Sequence, residues 1–359
     1  MIIFSYLPVT ILCLIFGVIM FIHIIKTWNS ENKNGYKKID EVIYATLTLA
    51  FAIYYPFLVK KFGGKKEGII FSNAVDEITL LGNIFIVGVM LCVSAWGISA
   101  KIRTIRNPEL LVTQNNYEVF CKEFLKNYSE RGQIKRRVTH ILPGAVVGGI
   151  IIIVYYLCNE LLGHAWIDYA LFIVIIVGID FALTFIAQDL IRLFDFSYMP
   201  PTAIKMCKAG LTPDELDSFS STSVMVFSFG PFIFFSFPIF FIVILITSVA
   251  DAMASMVGII TGDKKHCFPK STNKCIEGYI SGFVFTFICT IFAIVFSNHF
   301  QLSNWGLELS IFVALILSAV FVFIDLITSK IKLQDNYLNP FITGLVLIII
   351  LINANVPII

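Results

Sequence analysis

Charge is what this chain has least of. Only 14% of its 359 residues are Asp, Glu, Lys or Arg, against 58% hydrophobic residues and a mean hydropathy of +0.87. That shortage excludes a soluble globular domain and leaves an integral membrane protein. The formal net charge is only +2, and no nucleic-acid partner is expected. There is no Gly-x-x-x-x-Gly-Lys-Ser/Thr sequence, so the chain is not a P-loop enzyme. There is no CxxC: His266, Cys267 and Cys275 lack the spacing of a metal cluster, and the eight cysteines are too scattered for a disulfide framework. Cys13, Cys92, Cys158 and Cys289 sit in or beside apolar runs, where a thiol behaves as a small hydrophobe. No basic residue precedes the first apolar run, Ile2 to Ile25, which is longer than a signal-peptide core and reads as a span that stays. Internal similarity between halves, expected of a transporter built from inverted repeats, is also missing.

What is present is a series of apolar runs long enough to cross a bilayer. The expected fold is all-α, a polytopic transmembrane bundle of about ten spans: 3–25, 41–59, 77–99, 139–158, 167–187, 222–236, 238–260, 279–297, 307–329 and 339–357. The region 222–260 reads either as one long helix plus a half-helix, giving nine spans, or as two short spans turning near Pro238, giving ten. Loop charge favours two. With ten spans and the N-terminus outside, every Lys and Arg except Lys60, Lys61, Lys65 and Lys66 falls on the inner side. With nine, the loops 261–278 and 330–338 move outside. Two regions are expected: 1–134, three spans and an inner loop, and 135–359, a membrane domain whose cytoplasmic loops form the active site. In the inner loop, Tyr117, Phe120, Cys121, Phe124, Leu125 and Tyr128 share one helical face. That amphipathic helix lies either among anionic lipid headgroups or against the protein itself.

The richest stretch is Asp251 to Gly282. If it is helical as far as Gly262, Asp251, Ser255, Gly258 and Gly262 fall on one face. Such a face offers a carboxylate and a hydroxyl to a metal and bare backbone to a phosphate. Lys264, Lys265, Lys270 and Lys274 follow, with charge for a polyphosphate. The plainer reading is an Asp at a helix end and, in Gly278-x-x-x-Gly282, a helix-packing pattern.

The stretch resembles the polyprenol kinases: dolichol kinase, phytol kinase and their CTP-dependent relatives. Their pattern is Asp-x-x-Ala-Ser-x-x-Gly-x-x-x-Gly, a basic loop, then Lys-Ser/Thr-x-Glu-Gly. Here it is met by Asp251, Ala254, Ser255, Gly258 and Gly262, then Lys274, Glu277 and Gly278. Ala250 stands where the family has Gly, and Cys275 where it has Ser or Thr. Three flanking motifs also resemble that family. Arg136-Arg137-x-x-His140 opens the fourth span, and Asp189-x-x-Arg192 ends the fifth. Asp335-Asn336-x-x-x-Pro340 opens the last, with Gln334 where the family has a second Asp. Read alone, the first is an arginine anchor, the second an i, i+3 salt bridge and the third a turn. Thr212-Pro213-Asp214-Glu215 is a capped helix start that launches the sixth span.

The resemblance implies a kinase that phosphorylates an isoprenoid alcohol in the bilayer from CTP, with Mg²⁺ as cofactor. Asp251, Lys274 and Glu277 would be catalytic, with Glu277 either orienting Lys274 or accepting the alcohol's proton. Asp251 and Asp335 would hold the metal. Ser255, Gly258, Gly262, Lys264, Lys270, Gly278, Asn336, Arg136, Arg137, His140, Asp189 and Arg192 would surround the nucleotide. A cytidylyltransferase making a CDP-lipid and a transporter using Asp180 and Asp251 are the alternatives.

Overall fold

The computed structural model of the chain describes residues 6–29, 35–63, 72–129, 133–262, 266–268, 274–331 and 333–358. The apolar runs form helices because a bilayer leaves no other partner for their backbone groups. In chain order these are α1 (Leu7–Thr27), α2 (Gly35–Gly63), α3 (Ser72–Arg106), α4 (Tyr117–Asn127), α5 (Gln133–His140), α6 (Leu142–Leu162) and α7 (Trp166–Phe194). There follow α8 (Pro201–Gly210), α9 (Ser221–Phe229), α10 (Phe237–Leu245), α11 (Asp251–Thr261), α12 (Ile276–His299), α13 (Leu307–Ile331) and α14 (Asp335–Asn353). No strand occurs among the described residues. Nine described helices are long and apolar enough to span a membrane, and the fold is an all-α polytopic bundle.

The helices gather into two compact units that interleave in sequence: residues 1–129 with 157–227, and residues 130–156 with 228–359. In the first, the apolar face of α4 is packed on the protein. Phe120 and Phe124 are 2% and 4% exposed and meet Phe196, Met199, Ala203, Ile204 and Cys207. Of the two sequence alternatives for α4, the structure has the second. Asn116 caps this helix by accepting from the N–H groups of Glu118 and Val119.

The expected sixth span is where sequence and structure part. Thr212 and Glu215 do form a reciprocal cap, but it closes a single 3₁₀ turn, Pro213–Glu215. Glu215 Oε1 then accepts from the N–H and hydroxyl of Ser221, where α9 begins. The α9 helix ends at Phe229, gives way to a 3₁₀ turn over Gly230–Phe234, and the chain turns at Ser236. Gly230-Pro231 and Pro238 account for the break, since neither proline has an N–H for the ladder. The apolar stretch Ser221–Phe234 is therefore too short to count with the nine.

In the second unit the direction of this stretch is nonetheless clear. Ser228 Oγ donates to the carbonyl of Asn336, Phe232 lies beside Gly344, and Ser236 N–H donates to the carbonyl of Ile358. Residues 228–236 thus run parallel to α14. The chain returns antiparallel to α12, with Phe237 beside Phe296, Phe241 beside Phe292, Ala254 beside Gly282 and Gly258 beside Gly278. The path is a short broken arm followed by a long one, the latter containing a π-helical turn, Ile246–Ala250, between α10 and α11.

Candidate active site

Five segments of the second unit bring charge to one end of it. Asp251 is the first residue of α11, straight after the π turn, and π turns concentrate at functional sites. Its buried Oδ2 makes no hydrogen bond to the described residues; its ion partner is Arg137 Nη1 at 3.5 Å, from α5, which packs on α11. Arg136 and His140 are also buried, at 6% and 4% exposure, on the same short helix.

Lys274 is held by its backbone and by its head. Residues 267–268 and 274–275 make a small antiparallel ladder, in which Phe268 N–H donates to the Lys274 carbonyl at 3.0 Å. Tyr279 Oη in turn donates to the Phe268 carbonyl at 2.9 Å. The Lys274 ammonium donates to Asp325 of α13 and, at 3.0 Å, to Asp335 at the start of α14. A carboxylate in the first turn of a helix is favoured by the partial positive charge there. Asp251 lies within electrostatic range of Asp335, Arg137, Lys274 and Asp325. Burial opposes the charged form of Lys274, but Asp335, Asp325 and Asp251 outweigh it and hold the group above its ordinary value, so the ammonium persists at neutral pH.

Glu277 faces elsewhere. Its Oε1 is 2.6 Å from His266 Nδ1, while the Lys274 ammonium is held by Asp325 and Asp335. Ser255 is half-buried one turn beyond Asp251. Gly258 of that face and Gly278 of α12 serve a close helix crossing. A Cβ on Gly258 would meet Gly278 Cα at 3.5 Å, and one on Gly278 would meet the Ala254 carbonyl at 3.4 Å. Gly262 gives its space to Cys275, whose Sγ would lie 2.8 Å from a Cβ there. Asn336 is 5% exposed and binds Ser228 through its backbone carbonyl. Lys264, Lys265 and Lys270 lie outside the described residues.

Asp189 and Arg192 belong to the other unit. There Arg192 donates to the carbonyls of Glu215, Leu216 and Ser218 and to Asp189 Oδ1, while Asp189 Oδ2 accepts from Ser220 N–H and Oγ. Through these bonds the pair braces the turn before α9. Asp180, also in that unit, has a buried Oδ1 without a hydrogen bond to the described residues.

Asp325 is the site residue that sequence reading passed over. Its signal was available: it is the one acid within the apolar run 307–329, apart from Glu308 at the run's edge, and an ionisable group there is costly unless it has work to do.

No group of three or more His, Cys, Asp or Glu among the described residues is arranged to hold a metal alone. The site still suits one common manner of binding Mg²⁺, in which one or two carboxylates share the ion with substrate phosphates. Asp251, whose Oδ2 lacks a hydrogen bond, and Asp335 are the carboxylates that fit.

A many-helix membrane fold with a lysine held between two carboxylates defines a class, the polytopic membrane proteins with a charged site at the end of a helical unit. A model of the cytidylyltransferase family matches residues 110–334, well over half of the chain. The chain belongs to that family, and it is a membrane enzyme that uses CTP. No curated protein and no solved structure matches it.

Proposed function

We propose that this enzyme transfers the γ-phosphoryl group of CTP to the hydroxyl of a long-chain, dolichol-like isoprenoid alcohol. The alcohol oxygen bonds to the γ-phosphorus, the bond from that phosphorus to the β–γ bridging oxygen breaks, and CDP leaves. The alcohol's proton passes to a base. The observation that carries the reading is the Asp251–Gly278 stretch. Its pattern resembles that of polyprenol kinases, and its Asp251 and Lys274 share one charged cluster with Asp335, from the third resembling motif.

Phosphoryl transfer asks for positioning and charge neutralisation more than for covalent chemistry by the protein. Lys274, fixed by Asp325 and Asp335, binds phosphate oxygens, and Arg137 does so beside Asp251. Asp251 and Asp335 would hold Mg²⁺, which supplies neutralisation of the triphosphate. Glu277, in the first turn of α12 and paired with His266, accepts the proton. With the short broken arm and the long arm after it counted as a hairpin that returns to its starting side, loop charge supports a cytoplasmic active site, and the alcohol enters sideways from the bilayer.

The family's description favours a second reading, cytidylyl transfer to a lipid phosphate with release of pyrophosphate. Products separate the two. The purified protein is incubated with prenols, lipid phosphates and CTP labelled at the α or γ position. The kinase reading expects γ label on the prenol and free CDP. Label from the α position on the lipid, with pyrophosphate, refutes it in favour of the second.

A further inference from the structure

Two thiols lie beside the catalytic lysine, and neither reading of the reaction uses them. Cys267 and Cys275 are opposite each other in the two-residue ladder, with Sγ atoms 3.3 Å apart. Both are reduced. Cys267 is partly exposed, whereas Cys275 is buried at 6% exposure. Cys275 directly follows Lys274 and precedes the first turn of α12. Its sulfur occupies the space that Gly262 leaves at the end of α11.

We propose that Cys267 and Cys275 are a reversible dithiol modification site, oxidised by low-molecular-weight disulfides of the glutathione class, and that the bond withdraws Lys274 from Asp325 and Asp335. The Cys267 thiolate attacks one sulfur of the oxidised tripeptide, forming a mixed disulfide and releasing one tripeptide thiolate. The Cys275 thiolate then attacks Cys267 Sγ and releases the second. The two protein thiols lose two electrons and two protons, and one small disulfide becomes two thiols. A disulfide sets its sulfurs about 2.05 Å apart, well inside the present 3.3 Å. Cys275 directly follows Lys274 in the bridged backbone, so the contraction pulls on the segment that carries Lys274. A shift of about 1 Å in a positioning group can cost about a hundredfold in rate. In a reducing compartment such a bond forms only when the thiol poise fails, so the site couples lipid-phosphate synthesis to redox state.

The activity arm rests on the reading given under Proposed function; the chemical arms do not. The full-length protein in detergent is equilibrated in mixtures of reduced and oxidised glutathione. Free thiols are then trapped with maleimide, and exposed amines with an acylating ester. Peptide mass spectrometry reads the Cys267–Cys275 link and the acylation of Lys274, and parallel samples are assayed for CTP turnover. The expected result is a linked peptide that accumulates as the poise becomes oxidising, with Lys274 acylation rising and turnover falling at least about tenfold. Dithiothreitol should reverse all three, and Cys267→Ser should respond in none. Maleimide on both cysteines under oxidised glutathione overturns the site. A complete link with Lys274 acylation unchanged overturns the switch. A reduced protein without CTP turnover refutes the enzymatic reading and leaves both chemical readouts decisive.

Discussion

Removing Lys274 tests two things at once, because the residue is both a structural counter-ion and the proposed phosphate ligand. Lys274→Ala leaves Asp325 and Asp335 without their shared ammonium. Breaking a fully buried pair costs about 3–5 kcal/mol, and an exposed pair contributes at most about 1 kcal/mol. Here the side chains of Lys274, Asp335 and Asp325 are 37%, 22% and 8% exposed. The expected destabilisation lies between those limits, at about 2 kcal/mol. The catalytic loss should be larger. A cation aimed at developing charge is worth about a hundred- to a thousandfold in kcat. The two effects separate in a double-mutant cycle with Asp325→Asn. Deleting the carboxylate that has lost its partner should return much of the stability of Lys274→Ala, read as the thermal midpoint in detergent. It should return none of the turnover. If the double variant regains turnover together with stability, Lys274 only balances charge, and the phosphate-binding role is wrong.

Four further outcomes are expected. Asp251→Asn keeps the side chain's size but weakens the attraction for a divalent ion, so its turnover should fall sharply and recover in part at high Mg²⁺, whereas that of Lys274→Ala should not. Phe120→Glu with Phe124→Glu should destabilise the protein by several kcal/mol through buried, unpaired charge, and equally in micelles and bilayers; a loss confined to bilayers would show that α4 docks on lipid. Burial pushes the Cys207 thiol up from 9.0 to about 11; the folded state then holds a proton that the unfolded state releases, so the stabilisation present below pH 9.0 should fade as pH rises from 9.0 to about 11, and Cys207→Ala should flatten that part of a thermal-midpoint profile. Cysteines introduced near 265 should be sheltered from an impermeant reagent in intact cells and those near 304 labelled, and the reverse pattern would sink the assignment of the site to the cytoplasmic face.

Most of the architecture was legible because apolar length is a strong signal and nothing competes with it. Helices α1, α6, α12 and α13 begin and end close to where hydropathy alone sets them. Amphipathicity placed α4 but not its neighbour, since a protein groove and a headgroup layer select the same apolar face. The sixth span was misjudged because composition is blind to breaks: Gly230-Pro231 and Pro238 interrupt a run that is apolar throughout. At the site, the residues flagged by pattern included the acid and the lysine but not what steers the lysine. The partner is Asp325, 51 residues away from it, and a pairing at that distance is written in the packing of α12 against α13, not in local spacing. The glycines show the converse. Gly258 was read for phosphate and Gly278 for phosphate or helix packing, and the structure shows the small size of both letting α11 and α12 touch.

The broken arm at Ser221–Phe234 has a consequence for how the chain is made. At 1.5 Å per residue a helix of this length reaches about 20 Å, short of a hydrocarbon layer of about 30 Å. Emerging alone from the ribosome, it has too little apolar length to be held across the bilayer, and its interrupted backbone leaves carbonyls with no partner in lipid. Its first residues find earlier partners, Ser221 on Glu215 and Phe227 on Phe51, but those of its broken second half come later: Ser228 waits for Asn336, Phe232 for Gly344, and Ser236 for Ile358 near the C-terminus. The arm must therefore enter together with the apolar helix that follows, as a hairpin, and stay provisional until α14 arrives. A chain cut short before α14 should strand this hairpin and become a substrate for membrane quality control, even though every residue of the hairpin has been synthesised.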